Sequence, residues 1–381
     1  MDRVALAMLF GDRGRFIGIV LGLAFAALLI TQQMAIFLGL LSRAHAAVRD
    51  TPQAQLWVMD RSMEAIDLGG VRPLPDTALD RVRGVPGVAW AAPQLRIPLE
   101  CNLGEGVRRD ALLIGVDDQT FLGLAPVTAG RAEDLRQEGA VLLDEEGAAK
   151  FARAGRPLAI GDAFEINDHR AVVVGFVKAN PAIWFGSYLY TTAARAREWA
   201  PRSRRTLSYI IAGVEAGRPV PEVAASITAA TGLKAITGPQ FQASSAGFFA
   251  RNTGIPINFG MAVGLGFAVG TAVAGMLFLQ FTRDNLRYLG ALKAMGASDG
   301  LLLRMTLLQA GIVGILGYGL GTGTAVLFGT LAGGGAGQLA WLLPPWLLLA
   351  CAGAILLIVI GAALLSLRTV LKLEPAVVFR G

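Results

Sequence analysis

Four long apolar runs constrain this chain more than any other feature of its 381 residues. A helix rises about 1.5 Å per residue, so ~20 residues cross a hydrocarbon core ~30 Å thick. Each run reaches that length, and none contains an Asp, Glu, Lys, Arg or His. The sequence therefore predicts a polytopic α-helical membrane protein with four transmembrane helices, at residues 16–41, 258–281, 305–331 and 346–367.

The first run lies close to the N-terminus and follows several arginines, as the apolar part of a signal peptide does. It is longer than the ~7–15 apolar residues of such a peptide, and the sequence AHAA at 44–47 is a weak cleavage site. We therefore expect a retained helix. Residues 1–15 place arginines between leucines and a phenylalanine, which predicts an amphipathic helix on the cytoplasmic face.

The distribution of charge predicts the orientation in the membrane. Arg and Lys occur before the first run, between the second and third at 282–304, and in the tail at 368–381, whereas the loop at 332–345 has no charge. Short positively charged loops stay in the cytoplasm, and long domains cross regardless of charge. Both termini are therefore predicted inside, and residues 42–257 outside.

Residues 42–257 form the one extended polar region, and its pattern is mixed. Strand, helix, glycine break and strand occur once at 55–97 and again at 207–237, with an insert near 100–206 between them. Two such βαβ-like ends predict one mixed sheet. We therefore expect a large mixed α+β extracytoplasmic domain between helices 1 and 2.

Enzymatic and nucleic-acid-binding functions find no support in the sequence. His45 and His169 are the only histidines, neither lies in an H-E-x-x-H run, and no G-x-S-x-G is present. Cys101 and Cys351 are the only cysteines, so no zinc ligand set is predicted. The 34 basic residues are interleaved with 28 acids rather than grouped with stacking aromatics. We predict a non-catalytic chain with no metal and no nucleic-acid partner.

The spans also argue against a self-powered transporter. Ion- or proton-driven carriers place ionisable groups at mid-membrane, and these runs have none. No G-x-x-x-x-G-K-[ST] loop is present to bind a nucleotide. Energy for transport would therefore have to come from another protein.

Glycines in the spans recur at a spacing of four residues, which lets helices approach closely. Such pairs serve either packing within one chain or a dimer, and the sequence leaves both open. The pairs are Gly18 with Gly22, Gly266 with Gly270, and Gly317 with Gly321.

The stretch between the second and third runs predicts a short amphipathic helix from residue 283 to 295. Leu289, Leu292 and Met295 share one side, and Gly296 suits a left-handed turn that ends the helix. Ser298 is then placed to cap the next helix. Such a helix either lies on lipid or inserts its apolar side into a partner protein.

The sequence of this stretch, LGALKAMGAS, resembles the loop between the second and third membrane helices of FtsX/MacB-type (type VII) ABC transporter permeases. Those proteins typically show EIGxLRAxGAS there, and Tyr288 stands where an acid is usual. In that family the loop is the coupling helix that docks on a separate ATPase. The resemblance assigns this role to Arg287, Leu289, Gly290, Leu292, Lys293, Met295, Gly296, Ala297 and Ser298.

Two further stretches resemble the same family. VLLDEEGAAKF followed by LAIGDAFEINDHRAVVVGFV is similar to its extracytoplasmic domains, and the closing LKLEPAVVFRG to its DPAxxLR ending. The resemblance, nearest to the DevC-like branch, implies a multi-pass permease subunit of the bacterial inner membrane. It would act as a homodimer, with ATP and Mg²⁺ bound by the partner ATPase and no cofactor in this chain.

Two questions stay open at this point. The first is whether a periplasmic adaptor (membrane fusion) protein or an outer-membrane channel takes part. The alternative function is a membrane-anchored receptor or scaffold with an extracytoplasmic ligand-binding domain.

Overall fold

The computed structural model describes residues 2–67, 72–104, 106–152, 155–180, 186–201, 205–333 and 339–371. The chain divides into two compact units. The helical unit comprises residues 1–39 and 254–381, and the sheet unit comprises residues 40–253. The predicted loop at 332–345 and tail at 368–381 lie partly outside the described residues.

Helices form both ends of the chain, and strands alternate with short helices between them. The helices are α1 (Asp2–Gly11), α2 (Arg13–Arg43), α3 (Ala46–Arg49), α4 (Thr77–Arg83), α5 (Glu145–Lys150), α6 (Ala193–Trp199), α7 (Val220–Thr231), α8 (Gly238–Asn252), α9 (Ile255–Asp284), α10 (Leu286–Ala294), α11 (Asp299–Gly333) and α12 (Pro345–Leu371). The strands are β1 (Leu56–Met59), β2 (Val88–Asn102), β3 (Arg108–Val116), β4 (Val127–Ala129), β5 (Ala140–Asp144), β6 (Ala163–Ile166), β7 (His169–Val177), β8 (Tyr188–Thr192), β9 (Tyr209–Val214) and β10 (Lys234–Thr237).

Four helices of the described chain, α2, α9, α11 and α12, are long and apolar enough to cross a membrane. The predicted fold class is confirmed: four spans, with a mixed α+β domain after the first. The helices extend beyond the apolar runs, and α11 begins at Asp299 rather than at residue 305. Hydropathy marks the part of a helix that suits hydrocarbon, whereas backbone hydrogen bonds continue the helix into polar flanks.

The core of the helical unit lies between its long helices. Leu23 and Ala27 of α2 are fully buried and share one cluster with Val313 of α11 and with Ile358 and Val359 of α12. Small residues alternate with branched ones in this cluster, so the helices can pack closely.

The sheet unit is built on one continuous mixed sheet. The two strand–helix–strand units supply four neighbouring antiparallel strands in the order β10-β1-β9-β2. The insert extends the sheet from β2 in the order β3-β8-β5-β7-β4, and β6 pairs with β2 and β7. The strand β2 belongs to both parts, because Val88–Gln94 pair with β9 and Leu95–Asn102 with β3.

Side chains alternate across the sheet, as the pleat requires. Leu56 and Val58 of β1 join the core that also contains side chains of α4 and α7. Trp57 and Met59 join a second core with Tyr209 of β9. The sheet is therefore covered on both faces.

Two acids are buried beside this sheet. Asp67 accepts two hydrogen bonds from the guanidinium of Arg96 in β2. Asp144 at the end of β5 is fully buried and accepts from the backbone N–H groups of Gly147 and Tyr188, both at 2.7 Å. Burial raises the pKa of Asp144 above its ordinary value despite these hydrogen bonds.

Candidate functional site

A single residue joins α10 to the second span. α9 ends at Asp284 and α10 begins at Leu286, so Asn285 separates two helices. The Nδ2 of Asn285 donates to the carbonyl O of Phe281 at 2.8 Å and satisfies one acceptor at the end of α9. The prediction of one helix from 283 to 295 is thus corrected: Arg283 continues the second span.

A glycine turn ends α10. Gly296 has φ +94°, in the left-handed region that favours glycine. Its N–H donates to the carbonyl O of Lys293, and the Ala297 N–H donates to that of Leu292, both at 3.0 Å. These two bonds are the Schellman arrangement, which satisfies the last carbonyls of a helix.

Ser298 and Asp299 begin the third span. The Leu301 N–H lies 3.4 Å from Oγ of Ser298, as in an N-cap. Asp299 pairs with Lys293 across the glycine turn, with Nζ 3.2 Å from Oδ1. Asp299 is not among the site residues predicted from the sequence, although an acid in the first turn of a helix is an ordinary helix-start signal.

The leucines of α10 pack on their own chain. Leu289 is 9% exposed and forms a small cluster with Leu302 of α11. Leu292 and Met8 of α1 pack against that cluster. This differs from the prediction that Leu289, Leu292 and Met295 present one face to a partner. Spacing along a helix identifies an apolar face but not the surface that covers it.

The other side of α10 is open. Tyr288 is 67% exposed and Met295 is 75% exposed. They lie seven residues apart, close to two helical turns, and therefore on the same side. Arg287 and Ala294 are also exposed and have the same separation. We call Arg287, Tyr288, Ala294 and Met295 the open face of α10.

The six glycines predicted to pack helices lie within the helical unit, and most meet a neighbouring helix closely. A Cβ on Gly22 would lie 2.6 Å from Cγ1 of Val273 in α9, and one on Gly317 would lie 2.6 Å from Cβ of Leu23. Such distances leave no room for a side chain. The others lie against Leu277 (Gly18), Leu29 (Gly266), Ala26 (Gly270) and Ala27 (Gly321).

A second set of glycines has open space around the Cβ position. Gly260 and Gly264 of α9, and Gly319 and Gly323 of α11, have no heavy atom of another element within 4 Å of that position. Both pairs have the four-residue spacing that allows close helix approach.

The remaining residues singled out from the sequence lie apart from α10 in the chain. Cys101 and Cys351 are buried free thiols. The ring of His169 stacks on Trp199 with centroids 6.0 Å apart. Within the described ranges, no three His, Cys, Asp or Glu residues are grouped as metal ligands would be.

Two family models match this chain. Residues 16–230 match the MacB-like periplasmic core domain, and residues 260–375 match the FtsX-like permease C-terminal domain. No curated protein matches it.

Three solved structures are similar to about half of this chain. The extracellular domain of the noncanonic ABC-type transporter YknZ from Gram-positive bacteria is 13% identical, covering 48% of this chain and 99% of that one, with a TM-score of 0.36. The periplasmic region of MacB from Actinobacillus actinomycetemcomitans is 13% identical, covering 52% and 94%, with a TM-score of 0.39. A permease domain from Porphyromonas gingivalis is 14% identical, covering 48% and 87%, with a TM-score of 0.30.

These TM-scores lie below 0.5, so the assignment depends on the family models. The first model alone matches more than half of the chain, and the second matches the three later spans together with α10. The chain therefore belongs to the family of FtsX/MacB-type ABC transporter permeases, with a large extracytoplasmic domain after the first span.

Proposed function

We propose that this permease couples ATP hydrolysis by a separate cytoplasmic ATPase to conformational work or export on the periplasmic side. The observation that carries the proposal is the open face of α10. Tyr288 and Met295 are more than 60% exposed on a helix whose other side is packed against its own chain. Large apolar side chains held in this way suit a contact with another protein.

The way α10 is held supports a coupling role. One residue separates it from α9, and a hydrogen-bonded glycine turn separates it from α11. The ion pair between Lys293 and Asp299 spans that turn. With joints this short, a displacement of α10 is passed to both adjoining spans instead of being absorbed by a loop.

The residues of the open face suit a groove on a partner. Aromatic residues, Met and Arg are enriched at protein interfaces, where a few buried anchors carry most of the binding energy. Tyr288 and Met295 supply the apolar anchors, and Arg287 supplies a cation for an acidic rim. The ATPase, not this chain, would hold ATP and Mg²⁺.

The proposal includes a second copy of the permease in the bacterial inner membrane, with both termini in the cytoplasm. The open pairs Gly260 with Gly264 and Gly319 with Gly323 support a close approach between copies. Placement in the DevC-like branch stays a prediction, and the proposal does not require a periplasmic adaptor.

The test is purification of the tagged full chain from its native membranes, with mass spectrometry of the proteins that remain bound and an assay of ATP hydrolysis. We expect an ABC ATPase with the wild-type chain. Met295→Asp would place an unpaired charge in a dry contact, and Tyr288→Lys would remove an aromatic anchor. Each should lower retention at least about tenfold, equivalent to ~1.4 kcal/mol.

The matched control is Ile160→Asp, which changes an apolar residue that is 52% exposed in the sheet unit. It should retain the ATPase at the wild-type level. Leu292→Asp does not discriminate, because Leu292 packs on its own chain and a charge there destabilises the permease itself. A wild-type chain that carries a kinase or regulator and no ATPase would favour the receptor or scaffold function instead.

A further inference from the structure

The N-terminal helix α1 is attached to the third span by a buried polar contact. The Nε2 of Gln309 in α11 donates to the backbone carbonyl of Ala5 at 2.8 Å. Ala5 is fully buried and Gln309 is 5% exposed. A side-chain amide buried among apolar helices needs a partner, so this bond fixes the position of α1 along α11.

The same side of α1 also packs against a cluster to which α10 contributes. Ala5, Met8 and Leu9 have the three- and four-residue spacing of one helix face. Met8 packs against the cluster of Leu289 and Leu302, which joins α10 to α11. Leu9 is 1% exposed and belongs to the core formed by the spans. One face of α1 therefore packs against the cluster that joins α10, the helix of the proposed ATPase contact, to α11.

The joint between α1 and the first span is tied to the end of the second span. α1 ends at Gly11 and α2 begins at Arg13, with Asp12 between them. Oδ1 of Asp12 accepts from the Arg15 N–H at 3.2 Å. The guanidinium of Arg15 pairs with Asp12, with Nε 3.0 Å from Oδ2, and also with Asp284, the last residue of α9.

We propose that α1 is a strut that connects α10 to the first span, and this inference rests on the proposed function. Force delivered to the open face of α10 reaches Met8 through the cluster of Leu289 and Leu302, and α1 passes it through the joint at Asp12 to α2. The first span is the helix that continues into the sheet unit, because α2 runs unbroken to Arg43. The motion thus reaches the sheet unit through α2, in addition to α9, the span that follows the sheet unit in the chain.

The opposite side of α1 has a different character. Arg3, Ala7 and Phe10 lie there with the three- and four-residue spacing of one face and are exposed, Phe10 by 49%. If α1 only anchored the chain to lipid, this exposed side would make the contact with the membrane. The contacts of Ala5 and Met8 would then have no effect on α10. The two roles therefore predict different responses to substitutions on the two sides of α1.

The test is hydrogen–deuterium exchange on the full chain in detergent, without any partner. Gln309→Leu removes the donor to Ala5 and introduces an apolar side chain, and Met8→Ala removes the side chain that packs against the cluster of Leu289 and Leu302. Each should speed amide exchange in residues 286–294 and 13–17 about tenfold. Exchange in residues 262–275 of α9 should stay at the wild-type rate, since general destabilisation would raise it as well.

Two controls match these variants. Gln280→Leu makes the same substitution at an exposed position of α9. Phe10→Ala truncates an exposed side chain of α1 whose ring lies 4.9 Å from that of Phe16 in α2 and which does not belong to the cluster of Leu289 and Leu302. Neither should alter exchange in residues 286–294. Wild-type exchange in the Gln309→Leu and Met8→Ala variants, or equal acceleration by Phe10→Ala, would overturn the strut.

A second measurement uses native membranes that contain the tagged chain, with ATP and Mg²⁺ added. Gln309→Leu should retain the ATPase within about twofold, because the open face is intact, yet lose most of the nucleotide-dependent change in exchange within residues 40–253. A wild-type change in exchange in Gln309→Leu would overturn the role of α1 as a strut and would leave the proposed function in place. Failure of the wild-type chain to retain any ATPase overturns the proposed function, and the transmission of force with it.

Discussion

Arg96 and Asp67 are joined by two hydrogen bonds inside the sheet unit, with Nε 2.6 Å from Oδ1 and Nη2 2.5 Å from Oδ2. Their side chains are 1% and 7% exposed. Burial opposes the charge on Arg96, but Asp67 more than offsets it, so the pKa of Arg96 is raised. The guanidinium also lies 5.5 Å from the ring centroid of Tyr188. The pair holds the segment after β1 against the middle of the sheet.

The sheet unit should fold without the spans. It has its own cores on both faces of one sheet, and its length suits an independent domain. A fragment of residues 40–253 should be soluble and should unfold in one cooperative transition, measured by circular dichroism during heating. A broad or absent transition would mean that the spans are needed for folding.

Breaking the buried ion pair should destabilise that fragment strongly. Arg96→Met leaves Asp67 with no cation, and removal of one partner from a buried pair costs about 3–5 kcal/mol. Urea unfolding of the fragment measures this loss. Arg108→Met is the control, because the pair of Arg108 with Glu100 is 3.6 Å long and exposed. It should cost less than about 1 kcal/mol. Equal effects of the two variants would contradict a structural role for Arg96.

Asp144 should make the stability of the fragment depend on pH. Burial raises the pKa of Asp144 above its ordinary value of 3.8, so the folded state binds a proton that the unfolded chain does not. The contribution of Asp144 to the free energy of unfolding therefore declines as pH rises through the raised pKa. The free energy of unfolding of wild type should increase relative to that of Asp144→Asn as pH falls from 7 towards 4. Urea unfolding at several pH values measures both free energies.

Asp117 provides a control of opposite sign. Burial opposes its charge, but hydrogen bonds from Thr120 and Gln119 hold the pKa of Asp117 below its ordinary value. Its contribution is therefore present above pH 3.8 and is lost as pH falls through the lowered pKa. The difference in free energy of unfolding between wild type and Asp117→Asn should therefore become smaller at acid pH. The same pH dependence of the unfolding free energy in Asp144→Asn and Asp117→Asn would contradict the opposite pKa shifts of the two carboxyl groups.

Reporter fusions should reveal the orientation of the chain in the membrane. A reporter that is active only in the periplasm should be active after Asp110 and silent after Gly296. The reason is that Arg283, Arg287 and Lys293 keep the segment near α10 in the cytoplasm, whereas a long domain crosses regardless of its charge. Activity after Gly296 would overturn the four-span arrangement with both ends inside.

The sequence predicts those parts of the fold whose signal is local. Uncharged runs identify the spans, because hydrocarbon excludes ionisable groups of every kind. The turn at Gly296 follows from glycine's access to positive φ, and the helix start at Ser298 from its side-chain acceptor. Each of these features depends on a few neighbouring residues, so no knowledge of the tertiary structure is needed.

Contacts between distant segments leave no such signal. In the sequence, Leu289 is one residue of a predicted free apolar face, and only the folded chain shows that it clusters with Leu302 and that Met8 packs against this cluster. Gln309 stands out as a polar residue in a span, but its acceptor at Ala5 is 304 positions away. Arg96 likewise sits in an ordinary strand pattern until Asp67 is brought against it. These pairings are set by packing, which periodicity does not encode.

The adjacency of β2 and β9 has a consequence for how this domain can be altered. The insert departs from the layer of β10, β1, β9 and β2 along β2 and returns to it along β9. Gln94 lies opposite Tyr209 at the last pair of β2 with β9. A short hairpin joining those two residues would reconnect β1, β2, β9 and β10 in their present order. The insert is therefore an insertion between β2 and β9 of a smaller four-stranded layer. Deletions or exchanges of the insert can leave the strand neighbours of that layer unchanged, so variation in sequence and length can accumulate in the insert while the part adjoining the spans in sequence stays the same.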